Sequence, residues 1–252
     1  MNYTLITGAS VGLGEVFARR LAQEGRNLIL VARRKDKLDE LAQELGRTYR
    51  VHVHTLAMDL AKPDAGTELA RQINEAGWAV QGLINNAGFG DRGAFIELPL
   101  DRQINMIQLN ISTLVELSHC LLPSLLMQSE PFIINVASTA AFQAGPRMAV
   151  YYATKAFVLS FSEALHEELK GKVAVSALCP GPTATEFASE AHMTDTMLFK
   201  AGVMSAQSVV DIGLRKRQRA IVVAGLFNRI LVFMTKLSPR CLARKIAGML
   251  QA

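Results

Sequence analysis

Short apolar runs alternate with longer amphipathic segments along the chain, and this alternation predicts a parallel β-sheet with crossover helices. The predicted strands are Thr4–Thr7, Asn27–Ala32, Val51–Leu56, Val80–Ile84, Phe132–Ala137, Val173–Leu178 and Ala220–Val223. The predicted helices are Gly12–Gln23, Asp36–Leu45, Pro63–Ala76, Asp101–Gln128, Tyr151–Lys170 and Ala206–Lys216. The chain is therefore predicted to be an α/β protein with a doubly wound parallel sheet of about seven strands and helices on both faces.

The 252 residues fit one large α/β domain, and no linker or internal repeat divides them. We expect a single domain over residues 1–252 with two specialised segments. Residues 181–205 are irregular and rich in Met, Thr and Phe, which indicates a substrate lid. Residues 224–252 are predicted to form a C-terminal helical extension of two short basic amphipathic helices, broken near Ser238 and Pro239.

Charge is distributed unevenly along the chain. The formal net charge is +5, and half of the residues are hydrophobic, which argues against disorder. The segment from Ile212 to Ala252 contains no Asp or Glu. Its nine basic residues are Arg215, Lys216, Arg217, Arg219, Arg229, Lys236, Arg240, Arg244 and Lys245. The remainder of the chain therefore carries a formal charge of −4.

Cysteine usage and the N-terminal sequence bear on the expected location. Cys120, Cys179 and Cys241 are odd in number and lack metal-ligand spacing, so neither a disulfide framework nor a cysteine metal site is expected. The chain passes from Met1 directly into an apolar strand, without the basic segment of a secretory leader. No apolar run reaches the roughly 18 uncharged residues of a membrane span. These features predict a cytoplasmic protein.

A glycine-rich turn lies between the first predicted strand and the first predicted helix. The sequence Thr7-Gly8-Ala9-Ser10-Val11-Gly12-Leu13-Gly14 has the glycine spacing Gly-x-x-x-Gly-x-Gly. Glycines permit a tight turn and let backbone N–H groups approach a pyrophosphate, and the N-terminus of the following helix favours negative charge. The strand–turn–helix context predicts a Rossmann-type dinucleotide-binding fold rather than a purely structural turn.

The glycine turn belongs to a set of five motifs. The others are Asn85-Asn86-Ala87-Gly88, Ser138, Tyr151-x-x-x-Lys155 and Pro180-Gly181, all in chain order. Together the five resemble the short-chain dehydrogenase/reductase family over at least Leu5 to Glu186. The resemblance implies an oxidoreductase that moves a hydride between a nicotinamide and a carbonyl/alcohol pair. It also implies a homodimer or homotetramer, with the Tyr151–Lys170 helix as a frequent interface.

The end of the second predicted strand, Val31-Ala32-Arg33-Arg34, bears on the choice of cofactor. An acid at this position binds the ribose 2′-hydroxyl of NAD, whereas an Arg accommodates the 2′-phosphate of NADP. By resemblance, Ala32 stands where the family's NAD enzymes carry Asp, and Arg33 follows, so NADP(H) is the expected cofactor. The alternative is that Arg33 and Arg34 are solvated loop residues that do not contact a cofactor. Val11 departs from many NADP-preferring relatives, which carry a second basic residue in the turn.

The resemblance implies cofactor contacts along the carboxyl edge of the sheet. Asp59 or its backbone would accept from the adenine amino group, and Asn85 and Asn86 would position the site. The Thr183 backbone and the Thr185 hydroxyl would hold the nicotinamide carboxamide. The expected set is Gly8, Ser10, Val11, Gly12, Leu13, Gly14, Arg33, Arg34, Asp59, Leu60, Asn86, Ala87, Gly88, Tyr151, Lys155, Pro180, Gly181, Thr183 and Thr185.

Tyr151 and Lys155 are the residues expected to carry the chemistry. A lysine four residues after a tyrosine lies on the same helix face. Its ammonium favours the phenolate, so we expect it to lower the pKa of Tyr151 from the usual value of about 10. Tyr151 is then the general acid in reduction and the base in oxidation. Lys155 would also hold the nicotinamide ribose hydroxyls. The alternative is that Tyr151 and Lys155 are an ordinary pair of surface residues on a helix, without a catalytic role.

Two further polar residues complete the expected catalytic set. Ser138 ends a strand at the edge where ligands bind in open α/β sheets, and its hydroxyl can donate to a carbonyl oxygen. The family register favours Ser138 over Thr139. Asn110 lies in a predicted long helix; in relatives an Asn here kinks the helix and holds a water that links Lys155 to solvent. A buried Asn that only satisfies backbone groups is the alternative.

Substrate choice is expected to depend on the lid and on the loops after Gly88 and Ser138. The apolar candidates are Phe89, Phe142, Phe187, Met193, Met197, Leu198 and Phe199, and the charged candidates are Arg92, Arg147 and His192. They predict an apolar pocket for a hydrophobic ketone, aldehyde or 3-oxoacyl compound, since Met adapts to varied shapes. Ordinary core positions are the alternative.

The C-terminal segment has three open interpretations. Arg229 and Lys236 oppose an apolar face formed by Leu226, Phe227, Ile230, Leu231, Phe233, Met234 and Leu237. Such a helix can lie on an anionic membrane surface. It can also pack on a second subunit or roof the substrate pocket. A nucleic-acid role is not expected, because the basic segment has no aromatic or motif support.

Two functions of different class follow from the sequence. The first is an NADP(H)-dependent carbonyl reductase or alcohol dehydrogenase, and the second is a catalytically silent NADP(H)-binding sensor. The presence of Asn110, Ser138, Tyr151 and Lys155 favours the enzyme, because a sensor has no chemical need for all four.

Overall fold

In the computed structural model, which describes residues 1–187, 191 and 202–251, seven strands form one sheet. The strands are β1 (Asn2–Thr7), β2 (Asn27–Ala32), β3 (Val53–Ala57), β4 (Ala79–Asn85), β5 (Phe132–Val136), β6 (Ala174–Cys179) and β7 (Ile221–Val223). Their order is β3-β2-β1-β4-β5-β6-β7, and each neighbouring pair is parallel. The predicted doubly wound parallel sheet is confirmed.

Helices cover both faces of this sheet. They are α1 (Gly12–Gln23), α2 (Lys35–Tyr49), α3 (Ala65–Glu75), α4 (Leu100–Ile107), α5 (Thr113–Leu126), α6 (Ala149–Glu168), α7 (Ala206–Arg215), α8 (Leu226–Leu237) and α9 (Arg240–Gln251). Buried side chains of α1, α2 and α7 form the core on one face, and those of α3, α5 and α6 form it on the other. The inner strands are mostly apolar because both of their faces are covered, with Thr4, Asn135 and Ser176 among their few buried polar residues.

Helix α2 is longer than its predicted range of Asp36–Leu45. Gly46 does not end the helix, which continues to Tyr49. Arg50 ends it instead, in a left-handed conformation with φ of +56°, and its N–H donates to the Gly46 carbonyl at 3.1 Å. The buried leucines of α2, Leu38, Leu41 and Leu45, all precede this extra turn, whose residues Arg47, Thr48 and Tyr49 are exposed.

The segment predicted as one helix over Asp101–Gln128 contains a π-helical turn. Helices α4 and α5 are joined by Gln108–Ser112, which is π-helical and includes Asn110. A π-turn inserts an extra residue into a helical turn and frequently marks a functional site. The expected irregularity of the helix at Asn110 agrees with this turn.

Within the described residues, the stretch Leu100–Leu126 is long and apolar enough to cross a membrane. In the fold its apolar side packs on the sheet, where Leu117, Leu121 and Leu125 are buried. Ser118 on the same helix accepts a hydrogen bond from the Asn85 amide at 3.2 Å. Packing against β4 and α3 therefore accounts for its apolar composition.

The carboxyl ends of β1 and β4 lie side by side at the centre of the sheet, where the strand order reverses. Ligands of open α/β sheets bind in the crevice outside the strand ends at such a point. Here the chain leaves β1 toward α1 and leaves β4 toward α4 on the opposite face. The fold thus places the crevice between residues 8–11 and the segment that follows Asn85.

Candidate active site

The glycine turn after β1 owes its shape to two conformational demands. Gly8 and Gly12 have φ values of +65° and +61°, in the left-handed region that favours glycine. A Cβ atom on Gly14 would lie 2.1 Å from the Gly8 carbonyl oxygen, so only glycine fits there. Val11 precedes α1 and provides no side-chain acceptor for its first N–H groups. These N–H groups can therefore serve an anion such as a pyrophosphate.

Thr7 and Asn86 tie the turn to β4. The Thr7 hydroxyl donates to the Ile84 carbonyl at 3.3 Å and accepts from the N–H groups of Asn86 and Ala87, both at 3.0 Å. The Asn86 amide donates to the carbonyls of Thr7 and Gly8 at 2.9 and 3.1 Å. The prediction omitted Thr7, although its place at the last position of the first strand was a usable signal.

Basic side chains stand at the outer end of the turn. One Arg34 nitrogen lies 3.4 Å from the Ser10 hydroxyl and 3.1 Å from the Glu186 carboxylate. Lys37 approaches the other oxygen of Glu186 at 3.6 Å, and the exposed Arg33 lines the same end of the cavity. Guanidinium groups match phosphate oxygens well, so this end suits the 2′-phosphate of NADP(H).

Asp59 and Leu60, which follow β3, form the opposite wall. An Asp59 carboxylate oxygen accepts from the Ala61 N–H at 3.1 Å. The Leu60 carbonyl accepts from the Thr113 hydroxyl at 2.7 Å, which fixes this wall to the start of α5. Both residues line the cavity, as the resemblance implied.

Ser138 and Tyr151 meet at the floor of the crevice. Ser138 follows β5, and Tyr151 lies in the first turn of α6. Their hydroxyl groups are hydrogen-bonded, and the Ser138 oxygen also accepts from the Ala140 N–H at 3.1 Å. Tyr151 is only 6% exposed, and its ring lies 5.6 Å from the ring of Phe187. The arrangement brings two hydroxyl groups to one buried point in the crevice.

Lys155 lies one turn further along α6 and faces the sheet. Its ammonium donates to the Val136 carbonyl oxygen at 2.8 Å and lies 5.8 Å from the centroid of the Tyr151 ring. Burial lowers the pKa of Lys155 to about 8, because the charged form is removed from water.

The expected lowering of the Tyr151 pKa by Lys155 is wrong for this arrangement. Burial raises the pKa of the Tyr151 phenol well above its ordinary value, and the hydrogen bond with Ser138 opposes this only in part. The Lys155 ammonium bonds the Val136 carbonyl, so it does not offset the loss of hydration at the phenol. Tyr151 is therefore protonated at neutral pH, which is the form that can donate a proton.

Asn110 lies behind the crevice wall. Its amide nitrogen donates to the Phe89 carbonyl at 3.0 Å and to the Thr154 hydroxyl at 3.1 Å, and its oxygen accepts from the Phe89 N–H at 3.2 Å. A Cβ on Gly88 would lie 2.9 Å from this oxygen and 3.6 Å from the Lys155 nitrogen. Asn110 thus fixes the loop after β4 close to Lys155. Its part in a proton path stays a prediction.

The segment after β6 completes the crevice. The Thr183 hydroxyl donates to the Gly181 carbonyl at 2.9 Å. A Cβ on Gly12 would lie 3.3 Å from the Thr185 side chain, so this segment crosses close to the phosphate-binding turn. Thr183 and Thr185 both line the cavity, and their part in holding the nicotinamide carboxamide stays a prediction.

Asn228 of α8 is a site residue that the sequence reasoning missed. It is 6% exposed, lines the cavity, and donates to the Ala224 carbonyl at 2.7 Å. A Cβ on Gly181 would lie 2.4 Å from its side chain, so α8 packs directly on the segment after β6. A polar residue on the inner face of an otherwise apolar helix was the signal that could have found it.

These segments enclose one continuous cavity of about 970 Å³. The predicted site residues that line it are Gly8, Ser10, Val11, Gly12, Leu13, Arg33, Arg34, Asp59, Leu60, Asn86, Ala87, Gly88, Ser138, Tyr151, Lys155, Pro180, Gly181, Thr183 and Thr185. Gly14 and Asn110 do not line it. Gly14 packs beneath the turn, and Asn110 lies behind the backbone of Phe89.

The far part of the cavity has an apolar wall, beside which Asp101, Asn105, Gln143, Thr235 and Ser238 are polar lining residues. Its walls include Phe89, Pro99, Leu109, Phe187, Leu231, Val232, Met234 and Ile246. Of the predicted substrate residues, Phe89 and Phe187 line the cavity, whereas Phe142, Arg92 and Arg147 do not. Phe142 instead packs against the core and beside the Lys236 ammonium, 5.3 Å from its ring centroid. Met193, Met197, Leu198, Phe199 and His192 lie outside the described residues.

Arg102 lines the cavity but was not among the predicted residues. Its guanidinium is 2.6 Å from the buried Asp91 carboxylate and 5.2 Å from the centroid of the Phe89 ring.

The C-terminal helices roof part of the pocket, which is one of the three interpretations that the sequence left open. Leu231, Met234 and Ile246 of these helices line the cavity.

Comparisons with known proteins agree with this geometry. The sequence pattern of short chain dehydrogenases matches residues 2–196. The human very-long-chain 3-oxoacyl-CoA reductase is 31% identical over 236 residues, which cover 91% of this chain and 74% of that protein. Sulfoacetaldehyde reductase 2 of Chromohalobacter salexigens is 39% identical over 189 residues, 74% of each chain. A short-chain dehydrogenase from Sphingobium yanoikuyae, solved in complex with NADPH, is 30% identical, with a TM-score of 0.81 over 95% of this chain and 97% of that chain.

The predicted cytoplasmic location is wrong in the light of these relatives. Very-long-chain 3-oxoacyl-CoA reductases of human, mouse and cattle align with most of the chain, and these are membrane-bound enzymes. Attachment to a membrane surface requires neither a leader nor a long uncharged run, so the absence of both from the sequence did not exclude it.

Three observations show that the site suits a nicotinamide dinucleotide. The start of α1 has unpaired N–H donors, the turn is shaped by glycines that hold its backbone close to the crevice, and two arginines stand at its outer end. The sheet order, the motif set and the relatives all agree with this. The chain belongs to the short-chain dehydrogenase/reductase family and is an NADP(H)-dependent oxidoreductase.

Proposed function

We propose that the protein reduces hydrophobic carbonyl compounds, with 3-oxoacyl chains as the leading class, and uses NADPH as the hydride donor. The observation that carries the proposal is the buried Tyr151, hydrogen-bonded to Ser138, at the floor of a cavity with an apolar wall. Reduction requires a proton for the carbonyl oxygen at this point, and an apolar wall favours an apolar substituent on the carbonyl carbon.

Bound NADPH would supply the hydride, and the protein would supply the proton and the orientation. Tyr151 would donate its hydroxyl proton to the carbonyl oxygen, and Ser138 would hold that oxygen by a hydrogen bond. Lys155 would hold the nicotinamide ribose hydroxyls. Its lowered pKa of about 8 makes proton exchange possible near neutral pH.

The very-long-chain 3-oxoacyl-CoA reductase and sulfoacetaldehyde reductase 2 act on different substrates, and the cavity favours the acyl substrate of the first. Sulfoacetaldehyde carries a sulfonate, which calls for a cation beside the reacting carbonyl. Arg102, a cation on this side of the cavity, is already paired with the Asp91 carboxylate at 2.6 Å. The apolar wall, to which Phe187 and Met234 belong, supports an acyl chain instead.

The test pairs cofactor binding with turnover. Fluorescence titrations with NADPH and NADH come first. NADPH oxidation is then followed with ketones, aldehydes, sulfoacetaldehyde and 3-oxoacyl thioesters of increasing chain length. Tyr151→Phe is expected to lower kcat by about 10²–10⁴-fold without weakening NADPH binding, because it removes the proton donor alone. Tyr49→Phe, at an exposed tyrosine outside the cavity, is the matched control.

Each result of this test has a distinct meaning. Turnover that improves with acyl chain length and is lost in Tyr151→Phe supports the proposal. Tight NADPH binding without turnover of any carbonyl supports the silent sensor instead. A preference for sulfoacetaldehyde over every apolar carbonyl contradicts the assigned substrate class.

We also propose that the protein is a homo-oligomer and that residues 181–187, the first described part of the lid predicted over 181–205, contact the substrate. The second proposal is supported by Thr183, Thr185 and Phe187, which line the cavity. The oligomer proposal is supported by exposed apolar side chains on the neighbouring helices α4 and α6, among them Ile104 and Phe157. Light scattering measures the oligomeric state.

A further inference from the structure

A second cleft, outside the cofactor cavity, is lined by cations. Its volume is about 270 Å³, and it lies between the end of α7, strand β7 and helix α8. The charged residues that line it are Lys216, Arg219, Arg229 and Lys236, and no carboxylate is among the described residues of its wall. Phe233 forms one side of the cleft. We name this feature the basic cleft.

The outer face of α8 beside the basic cleft is apolar and exposed. Asn228 and Val232 mark the inner face, where they are buried against the protein. The residues of the outer face are Leu226, Phe227, Ile230, Phe233 and Leu237, each more than half exposed and none of them lining the cofactor cavity. An apolar helix face of this extent is unusual on a free surface in water and indicates a contact surface.

Helix α9 continues this surface. Ala247 is buried, whereas Leu242, Ile246 and Met249 are exposed along one side of the helix. Arg244 and Lys245 are exposed on the neighbouring side. The pair α8 and α9 thus presents apolar side chains flanked by basic ones, which is the pattern of helices that lie in a membrane interface.

Charge decides between the possible occupants of this surface. The segment 212–252 has nine basic residues and no acidic one. A symmetric contact with a second copy would bring these cations against one another, because the same patch faces itself across a two-fold axis. An anionic lipid surface matches both the basic cleft and the apolar face.

We propose that α8 and α9 dock on an anionic phospholipid bilayer, with a lipid phosphate in the basic cleft and the outer face of α8 in the interfacial region. This surface is separate from the catalytic residues, and the proposal does not depend on the substrate. Leu231, Met234 and Ile246 line the cofactor cavity from the same two helices, so docking would bring that wall of the cavity to the lipid.

The test is co-sedimentation of the full-length protein with vesicles. Vesicles of phosphatidylcholine alone are compared with vesicles that also contain phosphatidylglycerol, at low and high salt. We expect binding to the anionic vesicles alone, lost at high salt. Arg219→Gln/Arg229→Gln should weaken binding by about fivefold for each cation removed. Arg47→Gln/Lys172→Gln, which removes two exposed cations elsewhere, should leave it unchanged.

A second pair of variants tests the apolar face. Phe227→Ser/Ile230→Ser lies outside the residues that line the cofactor cavity, and it should weaken vesicle binding at least tenfold while NADPH binding is retained. Met127→Ser, at an exposed methionine after α5, is its control. Retained NADPH binding shows that a variant is folded.

Several outcomes overturn the proposal. The proposal is contradicted if Arg219→Gln/Arg229→Gln and Phe227→Ser/Ile230→Ser bind anionic vesicles as well as their control variants do. It is also contradicted if the protein binds neutral and anionic vesicles equally. A dimer seen by light scattering that Phe227→Ser/Ile230→Ser dissociates, without any vesicle binding, assigns the face to a second copy. Protection of the protein against thermal unfolding by inorganic phosphate, when Arg219→Gln/Arg229→Gln abolishes it and no vesicle binding is seen, assigns the basic cleft to a small anion.

Discussion

The two halves of the cofactor cavity are built from different kinds of structure. The nucleotide half, formed by residues 7–14 and 86–88, depends on backbone conformation and on contacts between glycines and main-chain atoms. The substrate half is formed by side chains of α8, α9 and the segments around Phe89 and Phe187. The nucleotide half comes from two short stretches at adjacent strand ends, whereas the substrate half comes from segments spread between Phe89 and Ile246.

This difference determines how each half tolerates change. A site made of backbone atoms has few acceptable sequences, since one added methyl group can collide with a carbonyl group. A wall made of exposed or half-buried apolar side chains can change residue by residue without loss of the fold. We therefore expect substitutions in the nucleotide half to affect folding and binding together, and those in the substrate half to affect substrate choice alone.

The largest effect is expected for Gly14→Ala. The new Cβ would lie 2.1 Å from the Gly8 carbonyl oxygen and 2.7 Å from the Asn86 amide nitrogen. Relief of this overlap requires the turn to move, so the free energy of unfolding should fall by about 3 kcal/mol and NADPH binding should be lost. Urea unfolding and fluorescence titration measure the two effects.

Gly46→Ala is the matched control for this substitution. Gly46 is also helical, but a Cβ there would meet its nearest neighbour at 3.5 Å. Alanine should raise stability by up to about 1 kcal/mol, because its helix propensity is higher. If the two variants lose similar stability, close packing at the turn is not what requires glycine at position 14.

An intermediate effect is expected at Lys155, which lies where the two halves meet. Its pKa is lowered from 10.5 to about 8, so the unfolded chain binds more protons than the folded protein between these two pH values. The stability contributed by this group therefore rises with pH through that window. Lys155→Met should raise the free energy of unfolding by about 2 kcal/mol at pH 7, while turnover is lost.

The pH dependence separates this explanation from a simple packing effect. The stability difference between Lys155→Met and the wild type should shrink between pH 8 and pH 10, as the buried lysine becomes neutral in the wild type. Urea unfolding at pH 7 and pH 9.5 measures it, with Lys172→Met as the exposed control. A variant that is less stable at both pH values would show that the bond to the Val136 carbonyl outweighs the cost of burying the charge.

The smallest effect is expected in the substrate half. Leu231→Ala and Met234→Ala each shorten an apolar side chain on the cavity wall. We expect KM for long-chain 3-oxoacyl thioesters to rise about fivefold, equivalent to about 1 kcal/mol of lost apolar contact, with short substrates and NADPH unaffected. Leu226→Ala, on the same helix but outside the cavity, should leave all three unchanged. Equal effects on short and long substrates would contradict the assignment of this wall to the acyl chain.

Local chemistry explains which parts of the fold could be predicted. Apolar periodicity was sufficient for the parallel sheet, since strands covered on both faces are mostly apolar. The C-terminal end of α2 could not be predicted, because Arg50 rather than Gly46 adopts the left-handed cap conformation. This cap lies five residues beyond Leu45, the last buried residue of the helix, so the apolar pattern gave no signal for it.

The sequence by itself was sufficient to predict the family and the NADP(H) cofactor, because the motifs that carry the resemblance, such as the glycine turn and the i, i+4 pair Tyr151 and Lys155, are local properties of the chain. The contacts of the predicted site residues with that cofactor stay a prediction. Tertiary structure alone decided the direction of the Tyr151 pKa, the bond from Lys155 to the Val136 carbonyl, the place of Asn228, and the apolar wall from α8 and α9. Each of these depends on burial or on contact between residues distant in sequence, and neither quantity is present in the linear order of the residues.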